Sequence, residues 1–232
     1  ESLYLMLTSA ARETLRSEYG VASDQTSALP YPIDLTLFEA SEASKPDSDV
    51  LRLLWLGRII PRKRLDVFLR GLSHAIRGGL PVKATIVGGT GFVPGYDKLI
   101  EGFEFPQNLE WIRSMPRTQV PELMRRHDVL AQPSDEENFG SSVAEAQACG
   151  LPVIVGKTNG NADYLCERDI HLADDRPETF AAALAEISQR RRTASTPSRA
   201  LAETHFDLRR VTRRLSSILH GVVEQRHLPQ AA

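Results

Sequence analysis

Two carboxylates, Glu137 and Glu145, stand eight positions apart in the stretch EENFGSSVAEAQACGLPVIV, residues 136–155, with Phe139-Gly140-Ser141-Ser142 between them. Far upstream lies a dense basic segment, Gly57-Arg58-Ile59-Ile60-Pro61-Arg62-Lys63-Arg64, and after it the glycine run Gly88-Gly89-Thr90-Gly91. Cations, backbone amides freed by glycine and the start of a helix are the groups that hold phosphate. Carboxylates repel phosphate unless each faces something neutral. If a helix begins near Ser141, the eight positions span roughly 12 Å at 1.5 Å per residue. That leaves room for a diphosphate over the helix N-terminus, with a sugar hydroxyl cluster at either end for a carboxylate to accept from. A ligand built as diol, diphosphate and diol is a nucleotide sugar.

These groups converge only if the chain folds to bring them together, and its periodicity says how. Strand-like runs occur at 51–56, 83–87, 109–112, 129–132 and 153–155, with a weaker one at 169–172. Helical spacing separates them, clearest in Leu65, Phe68, Leu69, Leu72 and Ile76, and again in Phe180, Leu184 and Ile187 and in Leu208, Val211, Leu215, Ile218 and Val222. Strand and helix in alternation, with mostly apolar strands, predict an α/β fold: a Rossmann-like, doubly wound parallel sheet. Ligands bind such sheets at the carboxyl ends of the strands. The basic segment, the glycine run and the segment 133–140 follow the first, second and fourth strands, so one rim collects all three.

The remaining features bound the answer. A chain of 232 residues, 41% hydrophobic, buries one good core. Its 28 basic and 30 acidic residues balance to a formal charge of -2, which gives no electrostatic case for nucleic acid. No apolar run is long enough to span a bilayer, and no charged start followed by an apolar stretch marks a secretory signal. Cys149 and Cys166 lack metal-ligand spacing and read as buried free thiols in a reducing cytoplasm. Residues 41–49, SEASKPDSD, read as a linker, and the opening Glu-Ser-Leu-Tyr as the start of a fragment. Before the linker a short strand (3–7), a helix from Ser9 to Tyr19 ended by Gly20, and YPIDLTLF are too little for a core of their own, so they are expected to be the tail of a preceding domain.

Taken in order, Gly57-Arg58 with Lys63, Ile86-Val87-Gly88, Pro133-Ser134, Glu137 with Glu145, and Cys149-Gly150-Leu151-Pro152-Val153 resemble the signature of retaining glycosyltransferases of the GT-B fold, family 4. Tyr31-Pro32-Ile33-Asp34-Leu35-Thr36-Leu37-Phe38 is similar to that family's crossover between domains. The resemblance covers about residues 1–190 and implies the C-terminal, donor-binding half of such an enzyme. Its division is then 1–40 as remnant of the N-terminal acceptor domain and crossover, 41–49 as linker, 50–204 as the nucleotide-sugar-binding domain, and 205–232 as C-terminal helix and tail.

Carried over by position, the resemblance implies that Arg58 and Lys63 neutralise the donor diphosphate and stabilise the leaving group. It implies that Glu145 holds the ribose and Glu137 orients the donor sugar, so that Glu137, Arg58 and Lys63 form the catalytic set. Gly57, Gly88, Asn138, Phe139, Gly140, Ser141 and Ser142 complete the expected donor site, with Ile112 and Arg113 at its base-binding loop. The implied reaction is hexosyl transfer with retention in polysaccharide or glycoconjugate biosynthesis. Its expected partners are a nucleotide sugar and an acceptor glycan, lipid or small molecule held by the other domain, and the isolated chain is expected to bind nucleotide without turning over. No cofactor and no metal are expected, because Arg58 and Lys63 supply the charge of a divalent ion. Two positions depart from the family: Arg64 replaces a usual glycine, and Tyr31-Pro32 a usual Asn-Gly. Arg64 either adds a phosphate contact or changes how the helix starts.

Plainer readings stand beside these. Arg62, Lys63 and Arg64 also suit a solvated helix start, although cations oppose the helix dipole there. Glu137 also suits a capping acid, and Glu145 an ordinary surface residue. Asp47-Ser48-Asp49 has the form of a metal-binding pair but sits in the linker. Arg190, Arg191, Arg192, Arg209, Arg210, Arg213 and Arg214 suit either contact with anionic lipid or simple solubility, so the expected location is the cytoplasm or the membrane's cytoplasmic face. A sugar-nucleotide epimerase, a phosphorylase and a non-catalytic module of the same fold remain alternatives.

Overall fold

The computed structural model describes residues 3–40, 48–90, 93, 95–190 and 197–227. Most of the stretch read as a linker, Asp47 of the Asp-Ser-Asp pair, Gly91, Arg191 and Arg192 lie outside the described residues. The chain opens with β1 (Tyr4–Met6), α1 (Ser9–Tyr19) and β2 (Thr26–Ala28), the two strands pairing in parallel. The Thr8 hydroxyl accepts from the Ala11 amide at 3.2 Å to cap α1, and Gly20, at φ 67°, ends it. No residue of α1 is buried.

Six further strands form one parallel sheet: β3 (Leu51–Leu56), β4 (Val82–Val87), β5 (Leu109–Ile112), β6 (Val129–Gln132), β7 (Val153–Val155) and β8 (Ile170–His171). Their spatial order is β5-β4-β3-β6-β7-β8. The chain thus lays strands outward on one side of β3, returns, and lays the rest on the other, the doubly wound plan expected from sequence. Every residue of β6 and β7 is buried, which is why these strands are apolar on both faces apart from Gln132 at the end of β6.

Helices cover both faces: α2 (Leu65–Arg77), the short α3 (Lys98–Glu101), α4 (Val120–Arg126), α5 (Ser141–Ala148), α6 (Pro177–Arg190), α7 (Pro197–His205) and α8 (Leu208–His227). One layer joins α2 and α6, with Phe68 and Phe180 edge-to-face at 5.9 Å. The other joins α5 and α7 with Ile33, Leu35 and Phe38 of the crossover segment. Arg199 fastens that layer by donating to the carbonyls of Phe38 at 2.7 Å and Ala148 at 2.8 Å. From Val143 to Ala148 every residue of α5 is buried, so its small side chains follow from close packing, and Glu145 is buried with them.

Several boundaries differ from the sequence reading. β1 is shorter than 3–7, and β4 begins one residue earlier, at Val82. β8 is shorter than 169–172 because the Asp169 amide closes a turn onto the Cys166 carbonyl at 3.0 Å. Both cysteines are free, but only Cys149 is buried; Cys166 is half-buried, its Sγ 3.4 Å from Ser198 Oγ.

Arg64 stands at the start of α2. It stands immediately before the helix in the left-handed region, φ 48° and ψ 47°, where glycine sits without strain. Three carboxylates hold it: Asp66 at 3.1 Å, Asp135 at 2.5 Å and Asp175 at 2.8 Å. Hydrogen bonding to Asp66 foremost drives its pKa higher still, against the cost of desolvation. Arg64→Ala, which keeps the strain and loses the ion pairs, is expected to cost about 1.5–3 kcal/mol. Arg64→Gly is expected to cost roughly 1 kcal/mol less, because the strain goes too. Urea unfolding of both variants checks this, and an equal or larger loss for glycine overturns the account.

Candidate active site

The strand order reverses between β3 and β6, and their carboxyl-end loops, 57–64 and 133–140, flank the crevice that reversal opens. On one side the ends of β3, β4 and β5 lock together. A Cβ on Gly88 would lie 1.8 Å from the Gly57 carbonyl oxygen, so only glycine admits this approach. The Gly88 amide donates to Ile112 O at 2.9 Å, and Trp111 Nε1 donates to Gly88 O at 2.9 Å. The Arg113 guanidinium lies 3.8 Å over the Trp111 ring. Gly57, Gly88, Ile112 and Arg113 are therefore one continuous ridge.

Across the crevice, Lys63 Nζ donates to Glu137 Oε2, and Arg62 approaches Oε1 at 3.5 Å. Glu137 is buried and does not cap α5, whose cap residue is Gly140, with no side-chain bond. Arg58, at the same rim, is exposed and has no hydrogen-bond or ion-pair partner among the described residues. The basic segment is thus mostly matched by carboxylates rather than solvated. Arg64, for which a phosphate contact was one of two expectations, is fully engaged by aspartates.

Glu145 is 3% exposed, and among the described residues its ion-pair partner is Arg117, at 2.7 Å. Burial raises its pKa above the ordinary carboxylate value, with Arg117 pulling the other way. It is no ordinary surface residue.

The start of α5 is organised differently from the expectation. The Gly140 amide, expected to meet phosphate, donates to Asn161 Oδ1 at 2.5 Å, and the Ser142 hydroxyl donates to Gln132 Oε1. Ser141 and Asn138 are exposed. Phe139 turns its ring inward, with centroids 5.7 Å from Phe206, 6.2 Å from Tyr164 and 6.3 Å from Tyr31. Of the expected site residues, Lys63 and Glu137 are thus in contact, Arg58 and Ser141 are exposed, Glu145 is buried in α5, and Gly140, Ser142 and Phe139 are used in holding the loop.

Sequence reasoning missed Arg117, Gln132, Asn159 and Asn161. The last two lie in the loop after β7, another carboxyl-end loop on the same rim, and that placement was the available signal. Ser134 Oγ and Asn161 Nδ2 are buried without a hydrogen-bond partner among the described residues. Among those residues no group of three or more His, Cys, Asp and Glu side chains is placed to hold a metal ion.

Comparison with known proteins gives a consistent picture. The family model described as "Glycosyl transferases group 1" matches residues 38–202. The D-inositol 3-phosphate glycosyltransferase of Paenarthrobacter aurescens is 29% identical over 213 residues, which is 86% of this chain and 52% of that protein. The chain spans about a third to a half of the length of the curated relatives it matches. Among solved structures, a glycosyltransferase from Rickettsia africae superposes with a TM-score of 0.84 at 16% identity, over 96% of this chain and 64% of that one. Anabaena HepE in complex with UDP-glucose superposes with a TM-score of 0.79 at 19% identity, over 95% of this chain and 64% of that one. At those identities the likeness is one of fold.

Because Arg117 lowers a pKa that burial raises, Arg117→Gln is expected to raise Glu145 further. A carboxyl with a raised folded pKa binds its proton more tightly when folded, so stability falls as pH rises from the unfolded to the folded pKa. The variant is therefore expected to match the parent at acid pH, where Glu145 is protonated in both, and to fall below it as pH rises through that window. Unfolding midpoints across pH check this; a gap independent of pH would place the loss elsewhere.

Proposed function

The chain belongs to the group 1 glycosyl transferases, and from that premise we propose that it is the donor-binding part of a retaining enzyme that moves a hexosyl group from a nucleotide diphosphate sugar to an acceptor. One observation carries the reading: at the crevice where the strand order reverses, the loop after β3, which carries the exposed Arg58, brings Lys63 onto Glu137 of the loop after β6, just ahead of α5 and of Glu145 in that helix. In this reading Arg58 and Lys63 take the diphosphate with the Ser141 amide, Glu145 takes the ribose, and Glu137 takes the donor sugar. As the glycosidic bond breaks, negative charge grows on the diphosphate, and the same cations stabilise it. Ile112 and Arg113 line the way to the base.

Relatives lend the donor class. HepE has been solved with UDP-glucose, and a Mycolicibacterium smegmatis relative is a GDP-mannose-dependent mannosyltransferase. Transfer itself is proposed for the whole protein, with the acceptor held across the crevice, because proximity and orientation need both walls.

The reading extends to a peripheral lipid contact through α8. At about 100° per residue, Arg209, Arg210, Arg213 and Arg214 fall on one arc of the helix, and the exposed Leu208, Leu219 and Val223 on the opposite arc. No described helix is long and apolar enough to cross a membrane. Sedimentation with phosphatidylglycerol vesicles, but not with phosphatidylcholine vesicles, is the expected result, and equal partition to both removes the contact.

Calorimetry with UDP, GDP, ADP and their sugar conjugates tests the donor site. Arg58→Ala is expected to weaken nucleotide diphosphate binding by about 1.5–3 kcal/mol with the fold intact. Lys63→Ala is expected to weaken it similarly and to cost stability as well, since it strands Glu137. Glu145→Gln should weaken bare nucleotide and sugar nucleotide alike, whereas Glu137→Gln should spare the bare nucleotide. EDTA should leave binding unchanged. Undiminished affinity in Arg58→Ala and Lys63→Ala removes the diphosphate assignment, and equal losses on both ligands for both glutamine variants remove the division between the acids.

A further inference from the structure

We propose that Asn161 is a positioning residue for the donor sugar, acting through Glu137 with help from Thr158; this rests on the reading of Glu137 given above. The observation is a strap. The loop after β7 folds back over the loop after β6 and bonds to its backbone on both sides of Glu137. Ahead of it, the Glu136 amide donates to Thr158 Oγ1 at 2.9 Å. At Glu137 itself, the carbonyl accepts from the Gly160 amide at 2.6 Å. Behind it, the Gly140 amide donates to Asn161 Oδ1 at 2.5 Å.

The strap is itself held in place. Asn159 Oδ1 accepts from the Asn161 amide at 3.0 Å, and both asparagines are buried, Asn161 completely. The two loops touch so closely that a Cβ on Gly160 would lie 2.1 Å from the Asn138 carbonyl oxygen, and the fit admits no side chain there.

Such a clamp matters because of what Glu137 faces. Its carboxylate lies against Lys63 and near Arg62, on a loop that also holds Glu136 at φ 46°. An unclamped loop would relax that strain and follow the cations, and a diphosphate drawing Lys63 toward itself would draw Glu137 after it. With residues 136, 137 and 140 tied to the strap, Lys63 can turn to phosphate while the carboxylate stays where a sugar hydroxyl meets it. Glu145, one turn into α5 and bonded to Arg117, does not depend on the strap. The strap should therefore serve the sugar end of the ligand more than the nucleotide end, where it touches only Gly140, beside the Ser141 amide.

The test compares the affinity of UDP-glucose with that of UDP, and likewise for the GDP and ADP pairs, in the whole chain. In the parent this ratio is the gain from the sugar. Asn161→Ala is expected to lower it about tenfold, the scale of one hydrogen bond to a charged group, with a smaller change in UDP affinity itself. Thr158→Ala, at an exposed position that leaves no cavity, should lower it less. In a Glu137→Gln background neither change should lower it further, a coupling that a merely structural role would not produce. An unchanged ratio in Glu137→Gln defeats the reading of Glu137. A ratio lost in Glu137→Gln but kept in the strap variants overturns this inference, as does a further loss when the changes are combined. Should Asn161→Ala fail to fold, Thr158→Ala alone and in the Glu137→Gln background decides.

Discussion

A parallel sheet whose strand order reverses has to open a crevice at the reversal, and the loops that flank it here carry Lys63, Arg64, Asp135 and Glu137 in ion pairs. The connections from β3 and β6 leave in opposite directions, so α2 and α5 cannot pack against each other there. What closes the gap is the contact of Lys63 with Glu137, one residue from each loop, both nearly removed from solvent. Such a pair holds its place only with good geometry and further support, because each charge gives up hydration to form it. The support comes from the strap on the glutamate side and from Gly57, beneath the lysine stem, on the other.

That contact shapes how an anion would be received. Arg58, Arg62, Lys63 and Arg64 within seven residues would repel one another if left unmatched. Among the described residues, carboxylates match all of them but Arg58. A diphosphate entering the crevice would therefore gain less from Lys63 than a bare charge suggests, since Glu137 must share or release the ammonium. Arg58 carries no such debt. Glu145 presents the same logic at the other end: Arg117 offsets part of the cost of burying its carboxylate, and a ribose diol would meet an acceptor already held in place.

How much of this was legible follows from the range of the forces involved. β3, β5, β6 and β7 were read to the residue because a buried strand is written in consecutive apolar side chains. The start of α5 at Ser141 was equally clear. Glu137 and Glu145 were found because their spacing is local. Their partners were not, since nothing in the sequence ties Glu145 to Arg117, 28 positions away, or Gly140 to Asn161, 21 positions away. The Gly140 amide shows the consequence: the resemblance implied a phosphate for it, and a distant side chain takes it. Asp169 shows the same at smaller scale, its turn to Cys166 trimming a strand that periodicity extended.

Arg64 is where the departure from glycine becomes intelligible. A glycine would occupy φ 48° without strain but would tether nothing. Arginine accepts the strain and reaches Asp66 in α2, Asp135 in the loop after β6 and Asp175 ahead of α6. The Asp135 amide, in addition, donates to Arg62 O at 2.9 Å. The loop that carries Glu137 is thus gripped from the α2 side two residues before the glutamate, and from the β7 side on either side of it. Two grips from opposite flanks of the crevice fix a carboxylate in a way neither does alone, because a loop held on one flank still pivots about it. The strained arginine and the buried asparagine therefore serve one end, a Glu137 that stays put while the cation beside it is free to change partners.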